Sequence, residues 1–159
     1  GVPYEGSARI PFLMVCPGKI PAGSVRNEAL SCIDFLPTAM ALMDVAVKHD
    51  VDGRDASKLL TGDADDWGDI AFLRSTSGKS PWLAAVTQRY KLVISAADSP
   101  WLIDMQEDPN ELHNLFGSKD HHFLIRQMTA SLLEYAKTHQ DDHARVPAIQ
   151  NAMGDILKR

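Results

Sequence analysis

Residues 82–105, Trp82-Leu83-Ala84-Ala85-Val86-Thr87-Gln88-Arg89-Tyr90-Lys91-Leu92-Val93-Ile94-Ser95-Ala96-Ala97-Asp98-Ser99-Pro100-Trp101-Leu102-Ile103-Asp104-Met105, hold three short apolar runs separated by two polar breaks. Each run is too short for a stable helix and rich in aromatic and β-branched residues, which is strand composition. In 90–95, Tyr90, Leu92 and Ile94 face one side, and in 101–105, Trp101, Ile103 and Met105 do the same. Connections this short permit only antiparallel pairing. The run at 70–74 supplies a fourth strand, so residues 70–105 predict a small four-stranded antiparallel sheet.

Downstream, Asp108-Pro109-Asn110-Glu111 carries a capping Asp, a first-turn Pro and a Glu at the third position. This predicts a helix start and at least a short turn through Leu115. A longer amphipathic helix is expected over 121–139, with Leu124, Ile125, Met128, Leu132 and Tyr135 inward and Arg126, Gln127, Glu134 and Lys137 outward. A last helix over 146–157 places Ile149, Ala152, Met153, Ile156 and Leu157 on one face.

Upstream, residues 10–16 (IPFLMVC) are apolar throughout and stop at Pro17-Gly18, the pattern of a strand buried on both faces. Residues 19–27 read as a loop. The stretch 33–47 is apolar all round at helical spacing, with Asp34 or Ser31 as N-cap and Pro37 tolerated in the first turn. Residues 49–69 are polar and predict a loop with one helical turn at 56–60. A strand covered on both faces and an all-apolar helix need more cover than one small sheet and one amphipathic helix provide, so the first third reads as made to pack on something further.

The chain has 159 residues, enough for one domain with a core, and 45% of them are hydrophobic. A formal charge of −5 argues against a nucleic-acid footprint, and no apolar run is long enough to span a membrane. Residues 1–10 lack the basic and apolar regions of a signal peptide. Cys16 and Cys32 form no CxxC pair and read as buried apolar thiols, so cysteine usage does not reveal the compartment.

Several fragments of familiar motifs fail on inspection. Gly78-Lys79-Ser80 ends like a phosphate-binding loop, but Leu73 stands where a glycine is needed and a strand follows where a helix should open. His139 and His143 have metal-ligand spacing, yet Gln140, Asp141 and Asp142 between them read as a solvated helix end. His121 and His122 read as surface residues. Asp63, Asp65, Asp66 and Asp69 lack the glycine placement of a calcium loop and read as a solvated acidic loop. Ser75, Thr76 and Ser77 have no His/Asp arrangement that the sequence can support.

Several segments in order resemble type I sulfatases of the alkaline-phosphatase superfamily. Tyr4-Glu5-Gly6-Ser7-Ala8-Arg9-Ile10-Pro11 resembles Y-E-G-x-x-R-x-P, with Ser7 where Gly is common, and 17–23 resembles P-G-K-I-P-A-G. Asp34-Phe35-Leu36-Pro37-Thr38 resembles D-x-x-P-T, and Asp52-Gly53-Arg54 resembles D-G-x-S/D. Arg89-Tyr90-Lys91-Leu92 and Leu102-Ile103-Asp104 resemble the R-Y-K-L and L-Y-D strands. Asp108-Pro109-Asn110-Glu111-Leu112 with Asn114-Leu115 resembles D-P-x-E-x-x-N-L. Residues 119–159 carry no motif of this kind.

The resemblance implies an α+β fold in which the four-stranded antiparallel sheet packs with a long helix, while one strand and one helix belong to a larger α/β sheet. It divides the chain into a remnant of a catalytic domain (1–48), a linker (49–69), a C-terminal sheet subdomain (70–140) and a helical extension (141–159). It implies a parent that hydrolyses sulfate esters of small molecules or glycans with a formylglycine and a divalent metal, usually calcium. Neither Cys16 nor Cys32 lies in the C-x-P-S-R or C-x-A-x-R context of formylglycine, so no catalytic residue, metal ligand or cofactor is expected within these 159 residues. The family's late catalytic lysine would fall immediately before Gly1, making Tyr4 and Glu5 candidates for holding it. Arg74, Lys79 and Trp82 are candidates for a pocket wall, the cations for an anionic glycan and the indole for a sugar face. Further expectations are a missing N-terminal catalytic domain as partner, self-association through the exposed strand and helix, no nucleic-acid or membrane partner, and an exported parent (periplasmic, extracellular or lysosomal). Two alternatives stand beside this reading: the C-terminal part of a related phosphodiesterase or phosphonate hydrolase, and a stand-alone interaction module.

Overall fold

A computed structural model describes residues 2–63, 66–76 and 79–158. In chain order its elements are α1 (Glu5–Ala8), a 3-10 turn (Cys32–Asp34), α2 (Phe35–Leu42), α3 (Ser57–Thr61), β1 (Ala71–Arg74), β2 (Trp82–Val86), β3 (Tyr90–Ser95), β4 (Trp101–Asp104), a 3-10 turn (Lys119–His121), α4 (His122–Thr138), a 3-10 turn (Asp142–Arg145) and α5 (Pro147–Lys158). The chain divides into two compact units, Gly1–Ile10 with Ala71–Arg159, and Pro11–Ile70. Tyr4 and Glu5 therefore group with the sheet, not with the stretch that follows them.

The sheet unit has the expected antiparallel order β1-β2-β3-β4. Its registers pair Leu73 with Ala84, Ala84 with Val93, and Val93 with Trp101, which sets these four on one face. That face also carries buried Trp82 and the Lys91 position, and the Tyr4 ring lies 5.2 Å from the Trp101 ring. The opposite face carries Phe72, Leu83, Ala85, Leu92, Ile94 and Leu102, against which α4 and α5 pack. Phe72 stacks on Tyr135 of α4 at 4.4 Å. The buried side of α4 is Ile125, Met128, Thr129, Leu132 and Ala136, and that of α5 is Ile149, Met153 and Ile156. Leu124 and Tyr135, expected inward, are half-buried at the edge of the α4 stripe.

β4 is an edge strand, whose open backbone groups need cover. Asn114 supplies it: its Oδ1 accepts from Leu102 N (3.0 Å) and its Nδ2 donates to Pro100 O (3.1 Å), while Leu115 N donates to Leu102 O (2.8 Å).

The expected helix start at 108–115 does not form; only a turn does, closed by Glu111 N donating to Asp108 O at 3.0 Å. Glu111 sits at φ 56, a left-handed conformation that breaks a helix, and Asp108 accepts instead from His113 N at 2.7 Å. The Glu111 side chain is thereby aimed away from a capping role.

Residues 10–16, all but Ile10 in the other unit, form no strand, contrary to the expectation. Strand hydrogen bonds need neighbours, and among the described residues the backbone amides of Phe12, Leu13, Met14 and Val15 have none. Leu13 and Val15 are 94% and 87% exposed, while Phe12 meets Phe35 edge-on at 6.3 Å. The helix expected over 33–47 is shorter. It ends at Leu42, followed by Asp44 at φ 57, and Lys19 Nζ donates to the terminal Leu42 carbonyl and pairs with Asp44, both at 2.6 Å.

Ser31 and Asp34 form a capping box at the start of the 3-10 turn that leads into α2. Buried Asp34 also accepts from Arg54 N (2.7 Å), and Thr38 Oγ1 donates to Asp34 O (2.6 Å) while accepting from Ala56 N (2.9 Å). Gly53 passes so close to the turn that a Cβ there would stand 2.0 Å from Ile33 O. The Arg54 guanidinium lies 4.0 Å over the Trp67 ring and donates to Gly68 O and Ile70 O, both at 2.7 Å. The turn expected at 56–60 appears as α3, closed by Gly62 at φ 93.

Candidate functional site

A lysine in the middle of an apolar strand is costly unless its charge is met. Lys91 has no solvent exposure, and its Nζ donates to Pro3 O (2.9 Å) and Glu5 Oε1 (2.7 Å) and lies 2.6 Å from Glu111 Oε1. The other Glu111 oxygen accepts from Glu5 N at 2.7 Å. One ammonium thus sits between two carboxylates, one of them only 5% exposed, and holds residues 3–5 against the sheet. Y-E-G, R-Y-K-L and D-P-x-E, three motifs far apart in sequence, meet at this one point. Arg89 of the same R-Y-K-L segment makes a two-armed contact to Asp104 Oδ2, from Nε (2.9 Å) and Nη2 (2.7 Å). That contact, with the Glu107 and Gln106 amides, holds the nearly buried Asp104 carboxyl below the usual carboxylate range in spite of its burial.

A second cluster lies where β1 ends and the 3-10 turn before α5 begins. His143, 6% exposed, has its Nε2 2.9 Å from buried Ser75 Oγ and its Nδ1 2.7 Å from Arg74 Nη2 and 3.2 Å from Asp142 Oδ1. Arg74 Nη1 lies 3.1 Å from Asp141 Oδ1, and Nη2 lies 2.9 Å from Asp142 Oδ1. Trp82 N also donates to Ser75 Oγ, at 3.3 Å.

Ser75, His143 and Asp142 stand in the order of a hydrolytic triad, but the donors run the other way. A guanidinium has no acceptor, so its approach fixes Nδ1 as the accepting nitrogen and puts the ring proton on Nε2. Ser75 then receives a hydrogen bond from the imidazole, which is not the arrangement of a base activating a hydroxyl. Asp141, Asp142 and His143 also bring three ligand atoms within 4.8 Å of one another. Arg74 already places its positive charge against both carboxylates, so the cluster does not suit a metal ion. Cys16 and Cys32, half-buried and exposed, stand in sequence contexts foreign to formylglycine. Among the described residues, then, none fits the metal or the modified cysteine that the resemblance implies for the parent.

The sequence candidates fall in different places. Glu5 is in the Lys91 knot, and Tyr4 leans on Trp101. Arg74 is half-exposed and engaged by the acidic turn. Lys79 is exposed, and Trp82 is a core residue only 8% exposed, beside Ala84 and Val93. His139 and His143 do not share a helix face: His139 caps α4 with its ring 4.3 Å from Tyr135, and Gln140 at φ 53 turns the chain before His143. Asp63 accepts from Thr61 Oγ1 (2.8 Å) and Asp69 from Ala29 N (2.7 Å), whereas Asp65, Ser77 and Gly78 lie outside the described residues. Lys91 and Glu111 are motif positions in the sequence but not among its site candidates. The signal was the lone charge within Tyr90-Lys91-Leu92-Val93-Ile94. The Ser75–His143 pairing, 68 residues apart, left no local signal.

The four-stranded meander thus carries two helices on one face and the leading residues bolted to the other. A protein solved in complex with its substrate D-glucosamine-2-N,6-O-disulfate superimposes with a TM-score of 0.63 at 25% identity, over 79% of this chain and 28% of that one. The chain belongs to the family of N-sulphoglucosamine sulphohydrolase C-terminal domains, whose model matches residues 2–138. It is 30% identical over 125 residues to an arylsulfatase of Clostridium perfringens, covering 76% of this chain and 26% of the relative. It is 26% identical over 149 residues to an N-acetylglucosamine-6-O-sulfatase of Bacteroides thetaiotaomicron, covering 87% and 27%. The chain thus spans about a quarter of the length of the curated relatives it matches.

Proposed function

We propose that this chain is the C-terminal part of a sulfatase that hydrolyses sulfate esters, and that it serves as frame and partial wall of the active site while the reacting groups belong to the rest of that enzyme. The family match over residues 2–138 carries the reading. The motif residues support it, because they bond to one another (Glu5 and Glu111 to Lys91, Asp34 to Arg54, Arg89 to Asp104) instead of converging on an open cleft. Formylglycine as nucleophile and a divalent metal, calcium foremost, are the groups proposed for the remainder of the enzyme. Within this chain, Tyr4 and Glu5 support the site through the Lys91 knot. Arg74 and Lys79 offer cationic donors to a sulfated small molecule or glycan, with Trp82 backing them from the core. An exported location accompanies this reading.

Two measurements test it. The purified 159-residue chain is expected to release no sulfate from an aryl sulfate with or without calcium, and turnover that co-purifies with it sinks the division of labour. The intact natural protein carrying this chain is expected to prefer sulfate esters over phosphodiesters and phosphonate esters and to yield a formylglycine peptide by mass spectrometry. The reverse preference would establish the phosphoryl-hydrolase alternative.

A further inference from the structure

The contacts around His143 define two alternative arrangements of the same groups. In the present one the imidazole is neutral, with Nε2–H on Ser75 and Nδ1 accepting from Arg74 Nη2 at 2.7 Å. If Nδ1 takes a proton, two donors face each other at that distance, and the contact turns repulsive. An acceptor for the new N–H is already in place: Asp142 Oδ1 at 3.2 Å, with Asp141 Oδ1 at 3.7 Å behind it. Asp142 Oδ1 is the same oxygen that Nη2 contacts at 2.9 Å. Ring and guanidinium therefore compete for one oxygen. Arg74 can yield, since its side chain is 46% exposed, whereas the ring cannot, since it is 8% exposed and stays tied to Ser75 through Nε2–H in either state.

We propose that His143 is a proton-operated keeper of Arg74: neutral, it retains the guanidinium arm Nη2; protonated, it takes Asp142 and turns that arm outward as a donor for an oxyanion. The other charged groups near the ring do not offer a competing exchange. β2 carries none; on α4 the charged Arg126, Glu134 and Lys137 are exposed, while Tyr135 stacks with His139 just past its end; the charged residues of α5, Asp155 and Lys158, lie at its far end, and Arg145 is on the exposed side of the turn. The inference stands apart from the sulfatase reading, because it concerns only what acid does to this cluster. A freed guanidinium pairs with tetrahedral oxyanions in general.

The test uses the whole 159-residue chain, labelled with nitrogen-15, and inorganic sulfate as the probe. At neutral pH the His143 nitrogen shifts are expected to report a neutral ring protonated at Nε2. On acidification the loss of the Arg74–His143 nuclear Overhauser contact should track His143 protonation, and sulfate should then shift the Arg74 Nε–H resonance that it leaves unmoved at neutral pH. His143→Gln, whose amide does not titrate, should abolish the acid step in the Arg74 signal. A neutral ring protonated at Nδ1, an Arg74 signal unmoved through the titration, an acid state that ignores sulfate, or an acid step retained in His143→Gln each overturns the proposal. The tautomer is read on the unmodified chain, so it decides the matter even if the variant folds poorly.

Discussion

The Lys91 ammonium lies 2.6 Å from the Glu111 carboxylate, joining a lysine without solvent exposure to a glutamate whose backbone stands in the left-handed region at φ 56. The geometry explains why the local helix signal at 108–111 is overridden. A helical Glu111 would direct its carboxylate to its own turn and leave the buried ammonium with one carboxylate fewer.

Removing the cation leaves two carboxylates facing each other with nothing between them. Lys91→Met is expected to destabilise the sheet unit by about 3–5 kcal/mol, the usual cost of orphaning buried charge. Adding Glu5→Gln and Glu111→Gln should recover part of that loss. Urea unfolding monitored by tryptophan fluorescence measures both, and a Lys91→Met chain as stable as the parent would show that the knot contributes nothing.

Gly53 is required for a different reason. Its absent Cβ is what lets the 52–54 segment reach the 3-10 turn, since the added atom would sit 2.0 Å from a backbone oxygen that has no side-chain freedom to retreat. Gly53→Ala is expected to cost roughly 3 kcal/mol or more through backbone displacement. Hydrogen exchange should show the loss in residues 31–56 first, with β2 and β3 protected as before; unchanged protection at Asp34 and Arg54 argues against the close approach.

The Asp104 carboxyl is held below its ordinary range chiefly by the Arg89 hydrogen bonds. A depressed folded-state value means stability that is complete above the unfolded value, about 3.9, and is lost as pH falls through the folded one. The sheet unit should therefore weaken from about pH 4 downward. Asp104→Asn should cost about 1–2 kcal/mol at neutral pH, modest because the arginine partner is half-exposed. The variant and parent stability curves should converge in acid, and a constant gap down to pH 2 refutes the assignment.

Leu13 and Val15 put two large apolar side chains almost wholly into solvent, on a stretch whose amides are unpaired among the described residues. The 159-residue chain is expected to self-associate through this stretch. Leu13→Glu with Val15→Lys should shift sedimentation toward monomer; a parent chain that is monomeric throughout contradicts the expectation.

The sheet was legible because its strands are short, alternate and are joined by short turns, so each signal is local. The helices at 122–138 and 147–158 were legible for the same reason. What misled was local chemistry overruled by distant partners: the Asp-Pro-Asn-Glu helix start gave way to Lys91, and the apolar run 10–16 carries strand composition without the neighbours that make a strand. The motif residues were recognisable, but their purpose was not. Only the folded chain shows that Glu5, Lys91 and Glu111 address one another, or that Ser75 meets His143.

Eighty-six residues separate Glu5 from Lys91, and 106 separate it from Glu111. The meander β1–β4, built from neighbours in sequence, can assemble long before a loop of that length closes. The knot is then expected to form after the folding barrier has been crossed, so that its strength bears on how long the native state lasts rather than on how fast it appears. Weakening Lys91 should quicken escape from the folded state while leaving the rate of arrival nearly untouched, which makes this buried lysine a determinant of lifetime.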